Sequence, residues 1–278
     1  AMSSFFTAFV VWAMLKWDLI EDESKANRWL ILIFYMMGLS IGVHLLNLVT
    51  IPALALIYYF KKYEPGRWGV VLTMIISLVI IFFINNLIIP GLPTVAGGFE
   101  VFFVNSIGLP FGSGVIVFAL ILLAVLVYGI RYAQKNNRPI LNTFLLATTF
   151  ILIGYSSYAM ILIRANFNPP INENDPSDVM SFVRYLKREQ YGSRPLLYGQ
   201  YFTAQLEGYD EGEAIYVKGD DKYEITDRKV SYRYSARDQT ILPRIWSTYP
   251  QHQQVYRDLL GLGDGEKPKF FSDNLYYM

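Results

Sequence analysis

The stretch that decides the fold lies at residues 29–60 and reads WLILIFYMMGLSIGVHLLNLVTIPALALIYYF. It contains no Asp, Glu, Lys or Arg, and three further charge-free stretches follow at 68–99, 101–130 and 139–163. Each exceeds about 18 residues, the length at which an apolar run is identified as a membrane-spanning helix. The sequence therefore predicts a polytopic integral membrane protein.

The first stretch is too long for one span. Its 32 residues would extend about 48 Å as a helix, whereas the hydrocarbon core of a bilayer is roughly 30 Å thick. Gly38, Gly42 and Pro52 are positions where the helix can be interrupted. We place the break at residues 42–47, which gives two helices.

The basic residues support this division. They form clusters at 16–28, 61–67 and 131–138, each with three Lys or Arg. With the break, all three clusters lie on one face of the membrane, which is the cytoplasmic face by the positive-inside rule. The sequence then predicts about six spans, and we expect the first to be truncated and the chain to be an internal fragment. The predicted spans are 1–17, 28–43, 46–61, 69–89, 113–131 and 140–162.

A change of composition divides the chain into two predicted domains. Residues 1–162 carry nine Lys or Arg and six Asp or Glu, whereas residues 163–278 carry 15 and 17. The first part is the predicted transmembrane helix bundle. The second has the composition of a soluble domain, and the topology places it outside the cytoplasm. The fold class is therefore mainly α, with a small α+β domain after the bundle.

Local signals predict the elements of the polar domain. Asp175 is a suitable N-cap, with Pro176 in the first turn of the helix. Gly219, Asp220 and Asp221 are typical of a hairpin turn. The predicted elements are a helix at 177–189, strands at 195–198, 213–218, 222–226 and 229–236, and a helix at 251–260 that ends at Gly261.

Composition excludes several functions. The chain has no cysteine and only two histidines, so neither a cysteine site nor a histidine metal cluster is expected. It contains no phosphate-binding loop, nucleophile elbow or zinc-protease motif, and no basic block that indicates nucleic acid. No cofactor is evident, and a requirement for a divalent metal stays open. The predicted spans hold almost no ionisable residue, which argues against an ion-coupled transporter.

Four residues are candidates for substrate binding. His44 and Asn47 are polar groups at the helix break, where they fit a phosphate or sugar, or else hydrogen bonds between helices. Glu100 is the only charge in the predicted outer loop 90–112, where it is either a site carboxylate or a solvated one. Arg164 follows the last span, where it can hold a lipid phosphate or reach the interface.

Four strings carry a resemblance to a known family. They are GLSIGVHLLNL at 38–48, IPALAL at 51–56, NPPINENDP at 168–176 and PLLYGQY at 195–201. The chain resembles a family of large bacterial membrane proteins of long unknown function. That family is similar to a eukaryotic transmembrane protein O-mannosyltransferase and to the GT-C glycosyltransferases.

The resemblance implies a GT-C-like glycosyltransferase fold and activity. The donor would be a polyprenyl-phosphate sugar, with mannose or another hexose. The acceptor would be a protein Ser or Thr, or a glycan, on the outer face. The catalytic carboxylate of such enzymes lies in the first outer loop, which would precede Ala1, so no residue here inherits that role. His44 and Asn47 match a family string and are carried over as substrate-site candidates.

The resemblance also implies a location. The protein would lie in the bacterial inner membrane, among membrane lipids, with the polar domain in the periplasm. Two other functions stay open, namely a non-enzymatic assembly or anchoring component, and a transporter or flippase. Inverted repeats would favour the transporter, and the chain has none that we recognise.

Overall fold

The computed structural model describes residues 1–192, 194–263 and 265–275. The chain is mainly helical and forms two compact units. One holds Ala1–Lys187 and Asp220–Lys222, and the other holds Arg188–Gly219 and the chain from Tyr223 onward. The helices are α1 (Met2–Asp18), α2 (Glu23–Ile41), α3 (Ile51–Lys62), α4 (Arg67–Phe83), α5 (Gly91–Val101), α6 (Ser113–Lys135), α7 (Pro139–Tyr155), α8 (Ala159–Ala165), α9 (Val179–Lys187) and α10 (Pro250–Leu260).

Four helical segments of the described chain are long and apolar enough to cross a membrane. They are Leu45–Lys62, Arg67–Ser106, Ser113–Lys135 and Pro139–Ala165. Many of their large apolar side chains are exposed, as expected of surfaces that face lipid rather than water. The chain is therefore an integral membrane protein. The count of six spans stays a prediction, because α1 and α2 are not among the four.

The predicted break in the first apolar stretch is confirmed. Helix α2 ends at Ile41, and a 3₁₀ helix at Leu45–Thr50 then leads directly into α3. The amide of His44 still donates to the carbonyl of Ser40, at 2.9 Å, so the last turn of α2 closes on itself. Pro52 lies in the first turn of α3 rather than at the break, where its missing N–H costs nothing.

Helices α2 and α7 pack with their backbones in contact. A Cβ on Gly38 would overlap the carbonyl of Ile151, and a Cβ on Gly154 would overlap the carbonyl of Tyr35. Small residues permit the two backbones to approach this closely. In lipid the hydrophobic effect does not drive helices together, so the van der Waals packing that this approach allows stabilises their association. These two glycines fix the position of α2, and with it the start of the break.

The predicted outer loop at 90–112, which we expect to be interfacial or re-entrant, is mostly helical, and its position relative to the membrane stays a prediction. Residues 91–101 form α5, and a π-helix follows at Phe102–Ser106, which leaves only residues 107–112 irregular. Pro90 is the N-cap of α5 and Pro93 lies in its first turn, where an N–H has no helical partner to lose. Gly97 then packs against Met180 and Val183 of α9.

The predicted N-cap at Asp175 is also wrong. The helix begins at Val179, and Asp178 caps it, since Asp178 Oδ1 accepts from the amides of Met180 at 2.7 Å and Ser181 at 3.2 Å. Asp175 has a positive φ of 35° and accepts a hydrogen bond from Asn172 instead, at 2.8 Å. Asp175 and Asp178 are both suitable N-cap residues, and sequence spacing alone does not indicate which of them caps the helix.

The second unit contains two small antiparallel sheets and α10. The strands are β1 (Tyr198–Gln200), β2 (Leu206–Lys218), β3 (Tyr223–Tyr234) and β4 (Gln239–Ile241), paired as β1–β4 and β2–β3. The predicted hairpin turn is confirmed, because Lys218 pairs with Tyr223 across it. The predicted strands 222–226 and 229–236 form one continuous strand, β3. Residues 195–197 precede β1, and Leu196 and Leu197 are exposed rather than buried.

Candidate functional site

Asn47 lies in the 3₁₀ helix after the break, and its side chain is 4% exposed. Its Oδ1 accepts hydrogen bonds from two hydroxyls of α1, from Ser3 at 3.1 Å and from Thr7 at 2.7 Å. Its Nδ2 is buried and has no partner among the described residues. Asn47 thus joins the break to α1 and keeps an unpaired side-chain NH2 group.

His44 is the N-cap of the same 3₁₀ helix, in extended conformation. Its Nδ1 accepts a hydrogen bond from the amide of Leu46 at 3.0 Å. A neutral imidazole that accepts at Nδ1 carries its proton on Nε2. The ring is exposed, and within the described chain Nε2 has no partner, so a second N–H donor is available at the break.

The structure brings these two candidates together. The amide of Asn47 donates to the carbonyl of His44 at 3.3 Å, so the residues are one turn apart in a helix of about three residues per turn. We use the name Asn47 cluster for Ser3, Thr7, His44 and Asn47. Its side chains are all uncharged when His44 is neutral.

Glu100 lies elsewhere, on α5, and it is fully buried. Its carboxylate accepts from the backbone amides of Gly112 at 2.5 Å, Gly114 at 3.0 Å and Val115 at 3.2 Å. These amides are at the N-terminus of α6, where N–H groups lack helical partners and the helix dipole favours an anion. These contacts are those of a cap supplied by a neighbouring helix, and a substrate role for Glu100 stays a prediction.

Arg164 is on α8 and is exposed. Within the described chain its guanidinium makes no hydrogen bond or ion pair. It therefore remains available for an anion such as a lipid phosphate. Among the described residues, no hydrogen bond links Arg164 to the Asn47 cluster, so a substrate role for Arg164 stays a prediction.

Sequence reasoning missed two features of this region. Ser3 and Thr7 are polar residues four positions apart on an apolar helix, which is a signal for one polar face. Lys61 was counted only as a cytoplasmic charge. Its Nζ donates to the carbonyls of Trp17, Asp18 and Ile20 at 2.6, 2.7 and 2.8 Å, where it caps the C-terminus of α1.

The described residues include no group of three or more His, Cys, Asp or Glu that could hold a metal ion. The Asn47 cluster contributes one side-chain amide, one imidazole and two hydroxyls at the break. Such groups bind neutral oxygen-rich ligands well, because they donate and accept hydrogen bonds without charge.

Two family models match parts of the chain. Residues 1–67 match the model described as the protein O-mannosyl-transferase TMEM260 N-terminal domain. Residues 192–278 match a family of unknown function, DUF8416. No curated protein and no solved structure matches the chain.

The first match covers α1, α2, the break and α3. It therefore contains the whole Asn47 cluster, whereas Glu100 and Arg164 are outside it. The second match covers all four strands and α10. Residues 1–67 are thus similar to the TMEM260 N-terminal domain, and the Asn47 cluster lies within this matched region.

Proposed function

We propose that this chain is the membrane part of a glycosyltransferase that moves mannose, or another hexose, from a polyprenyl-phosphate donor to an acceptor hydroxyl. The observation that carries the proposal is the match of residues 1–67 to an O-mannosyl-transferase domain. The membrane-length apolar helices support it, since a lipid-linked donor must be bound at the membrane.

In this reaction the acceptor oxygen forms a bond to the anomeric carbon of the sugar. The bond from that carbon to the phosphate oxygen breaks, and the lipid phosphate leaves with the bonding electrons. A base takes the proton of the acceptor hydroxyl, and a cation or N–H donors stabilise the leaving phosphate. We assign the base to none of the described residues. Arg164, exposed and unpaired in the described chain, is our candidate for the leaving phosphate.

We further propose that the acceptor is a protein Ser or Thr on the outer face of a bacterial inner membrane. The three basic clusters at 16–28, 61–67 and 131–138 support a cytoplasmic location for the turns that carry them. The break and the C-terminal unit would then be on the periplasmic side. On that side a polyprenyl-phosphate sugar can serve as the donor, because its sugar is already activated for transfer and no nucleotide is needed.

Gene deletion tests this function in cells. Secreted and membrane proteins are purified from wild-type and deletion strains, and their peptides are analysed by mass spectrometry for hexose on Ser and Thr. The proposal predicts modified peptides that disappear on deletion and return with the wild-type gene. An unchanged set of modified peptides would contradict it and would favour an assembly or anchoring role.

A further inference from the structure

The buried side-chain amide of Asn47 is incompletely paired. Ser3 and Thr7 both donate to Oδ1, while the described chain offers no acceptor to the buried Nδ2. Rotating the amide by half a turn would pair Nδ2 with the hydroxyls and leave Oδ1 without a donor. Either orientation leaves one buried polar atom unsatisfied, which costs about 1–3 kcal/mol unless a further group satisfies it.

A hydroxyl group satisfies this atom in both orientations of the amide. It accepts from Nδ2 in one orientation and donates to Oδ1 in the other. A phosphate oxygen can only accept. The chemistry of Asn47 therefore favours a ligand with hydroxyl groups over an anion.

The surroundings favour the same ligand. Residues 29–60 contain no Lys or Arg, so the segment around the break has no fixed positive charge to balance a phosphate, and an unbalanced charge is costly away from water. The second donor, His44 Nε2, belongs to an imidazole, which in its neutral form donates a hydrogen bond without carrying charge. Several neutral donors and acceptors are the usual partners of sugar hydroxyls.

Exposed apolar side chains stand beside the donors. Leu46 is 63% exposed and Val49 is 66% exposed, in the same short 3₁₀ helix as Asn47. They can contact an isoprenoid chain in the bilayer while the polar groups contact its headgroup. This combination suits a sugar that is attached to a lipid rather than a free sugar.

We infer that the Asn47 cluster binds hydroxyl groups of the hexose of a lipid-linked sugar, with Asn47 and His44 as the contacting residues. The inference rests on the proposed function for the identity of the ligand. It adds that this site distinguishes the sugar and that the phosphate is bound elsewhere. Binding can be measured without transfer, so the two proposals fail separately.

The experiment compares two probes on the full-length protein in lipid nanodiscs. One is a short-chain isoprenyl phosphate mannose, and the other is the same isoprenyl phosphate without sugar. Isothermal titration calorimetry gives both dissociation constants, and their ratio reports recognition of the sugar. We expect wild type to prefer the mannose probe by about tenfold or more, which corresponds to one or two good hydrogen bonds.

Asn47→Asp is the decisive variant, because it keeps the acceptor of the Ser3 and Thr7 hydroxyls and removes the N–H donors. The inference predicts that its preference for mannose falls toward unity, and that His44→Ala reduces the preference less. The ratio cancels any repulsion of the phosphate by the new carboxylate. The control His252→Ala, in the second unit, should keep the preference.

Two results would overturn the inference. One is equal binding of the two probes by folded wild-type protein. The other is an unchanged ratio in both Asn47→Asp and His44→Ala, which would leave Asn47 a purely structural contact between α1 and the break. If the preference is found and depends on Asn47 but no hexose is transferred, the binding site stands and the proposed enzymatic function fails.

Discussion

Glu100 of α5 and Gly114 of α6 determine each other's position. Glu100 Oε2 accepts the backbone N–H of Gly114 at 3.0 Å, and a Cβ on Gly114 would stand only 2.5 Å from the backbone nitrogen of Glu100. The helices approach this closely because residue 114 has no side chain. The carboxylate then satisfies amides at the start of α6 that have no other helical partner.

Replacing Glu100 by Ala should therefore destabilise the bundle. Three buried or partly buried amides lose an acceptor, and we expect the free energy of unfolding to fall by about 3 kcal/mol. Thermal unfolding in detergent measures the change. The exposed Glu64→Ala is the control and should shift the free energy by less than about 0.5 kcal/mol. Equal effects of the two substitutions would contradict the capping role.

A second prediction concerns the α2–α7 contact. Gly154→Ala places a methyl group against the backbone of Tyr35 and Leu39, which must move apart at a cost of about 1–3 kcal/mol. Gly98→Ala, on α5, meets no atom within 4 Å and should be neutral or slightly stabilising. Denaturation in mixed micelles compares the two variants. Loss of stability in Gly98→Ala but not in Gly154→Ala would show that the two helices do not pack as described.

A third prediction tests the Lys61 cap. The Lys61 ammonium donates hydrogen bonds to three carbonyls near the end of α1 and lies 4.4 Å from the centre of the Trp17 ring. Lys61→Met keeps the apolar stem and removes the charge, and we expect a loss of about 1–2 kcal/mol. Lys16→Met, an exposed lysine on α1, is the matched control. Tryptophan fluorescence during unfolding follows both variants, and an equal small effect would argue against the cap.

A fourth prediction concerns pH and Lys229 in the second unit. Its ammonium lies 2.6 Å from Glu189 and 3.2 Å from Glu213. Burial lowers the pKa of Lys229, but the hydrogen bonds and opposite charges of these carboxylates outweigh it and raise the pKa above its usual value. The folded pKa thus exceeds the unfolded one, so the stabilisation is complete below about pH 10.4 and disappears as pH rises through the folded pKa.

Wild type and Lys229→Met should accordingly differ in denaturant midpoint at about pH 8 and converge as the pH rises through the raised pKa of Lys229. Because Lys229 is partly exposed, the difference at pH 8 should be small and reduced by salt. Lys222→Met, in the hairpin turn, is the control for the loss of a lysine charge in this unfolding measurement. A Lys229→Met effect that persists at high pH would mean that packing of the stem, rather than the ion pair, stabilises this region.

The sequence was most informative for the apolar helices, because the surrounding lipid determines which residue types can occur there. The charge-free stretches locate the apolar helices because lipid excludes charge, and the length of residues 29–60 predicts the break at 42–47. The domain boundary at the composition change near residue 162 stays a prediction. The division into compact units differs from the division by composition, because α9 belongs to the same compact unit as the bundle.

Tertiary contacts decided the features that were not predicted. Pro93, Gly97 and Gly98 indicate a loop by local rules, yet this segment is helical because α6 and α9 pack against it. Glu100 was identified as a lone charge, and only the approach of Gly114 shows that it caps α6. Asn47 and His44 were identified correctly as neighbours at a break. The unpaired Nδ2 of Asn47 depends on the positions of Ser3 and Thr7, which sequence spacing does not connect with residue 47.

The most direct test of the central claim follows labelled sugar into protein. Membranes that contain the full-length protein receive radiolabelled polyprenyl-phosphate mannose, and label in protein is counted for wild type, His44→Ala and the control His252→Ala in the second unit. We expect transfer by wild type and by His252→Ala, and a fall of about threefold to tenfold in His44→Ala at limiting donor, which corresponds to the loss of one neutral hydrogen bond. Absence of transfer from any hexose donor by folded wild-type protein would contradict the glycosyltransferase function.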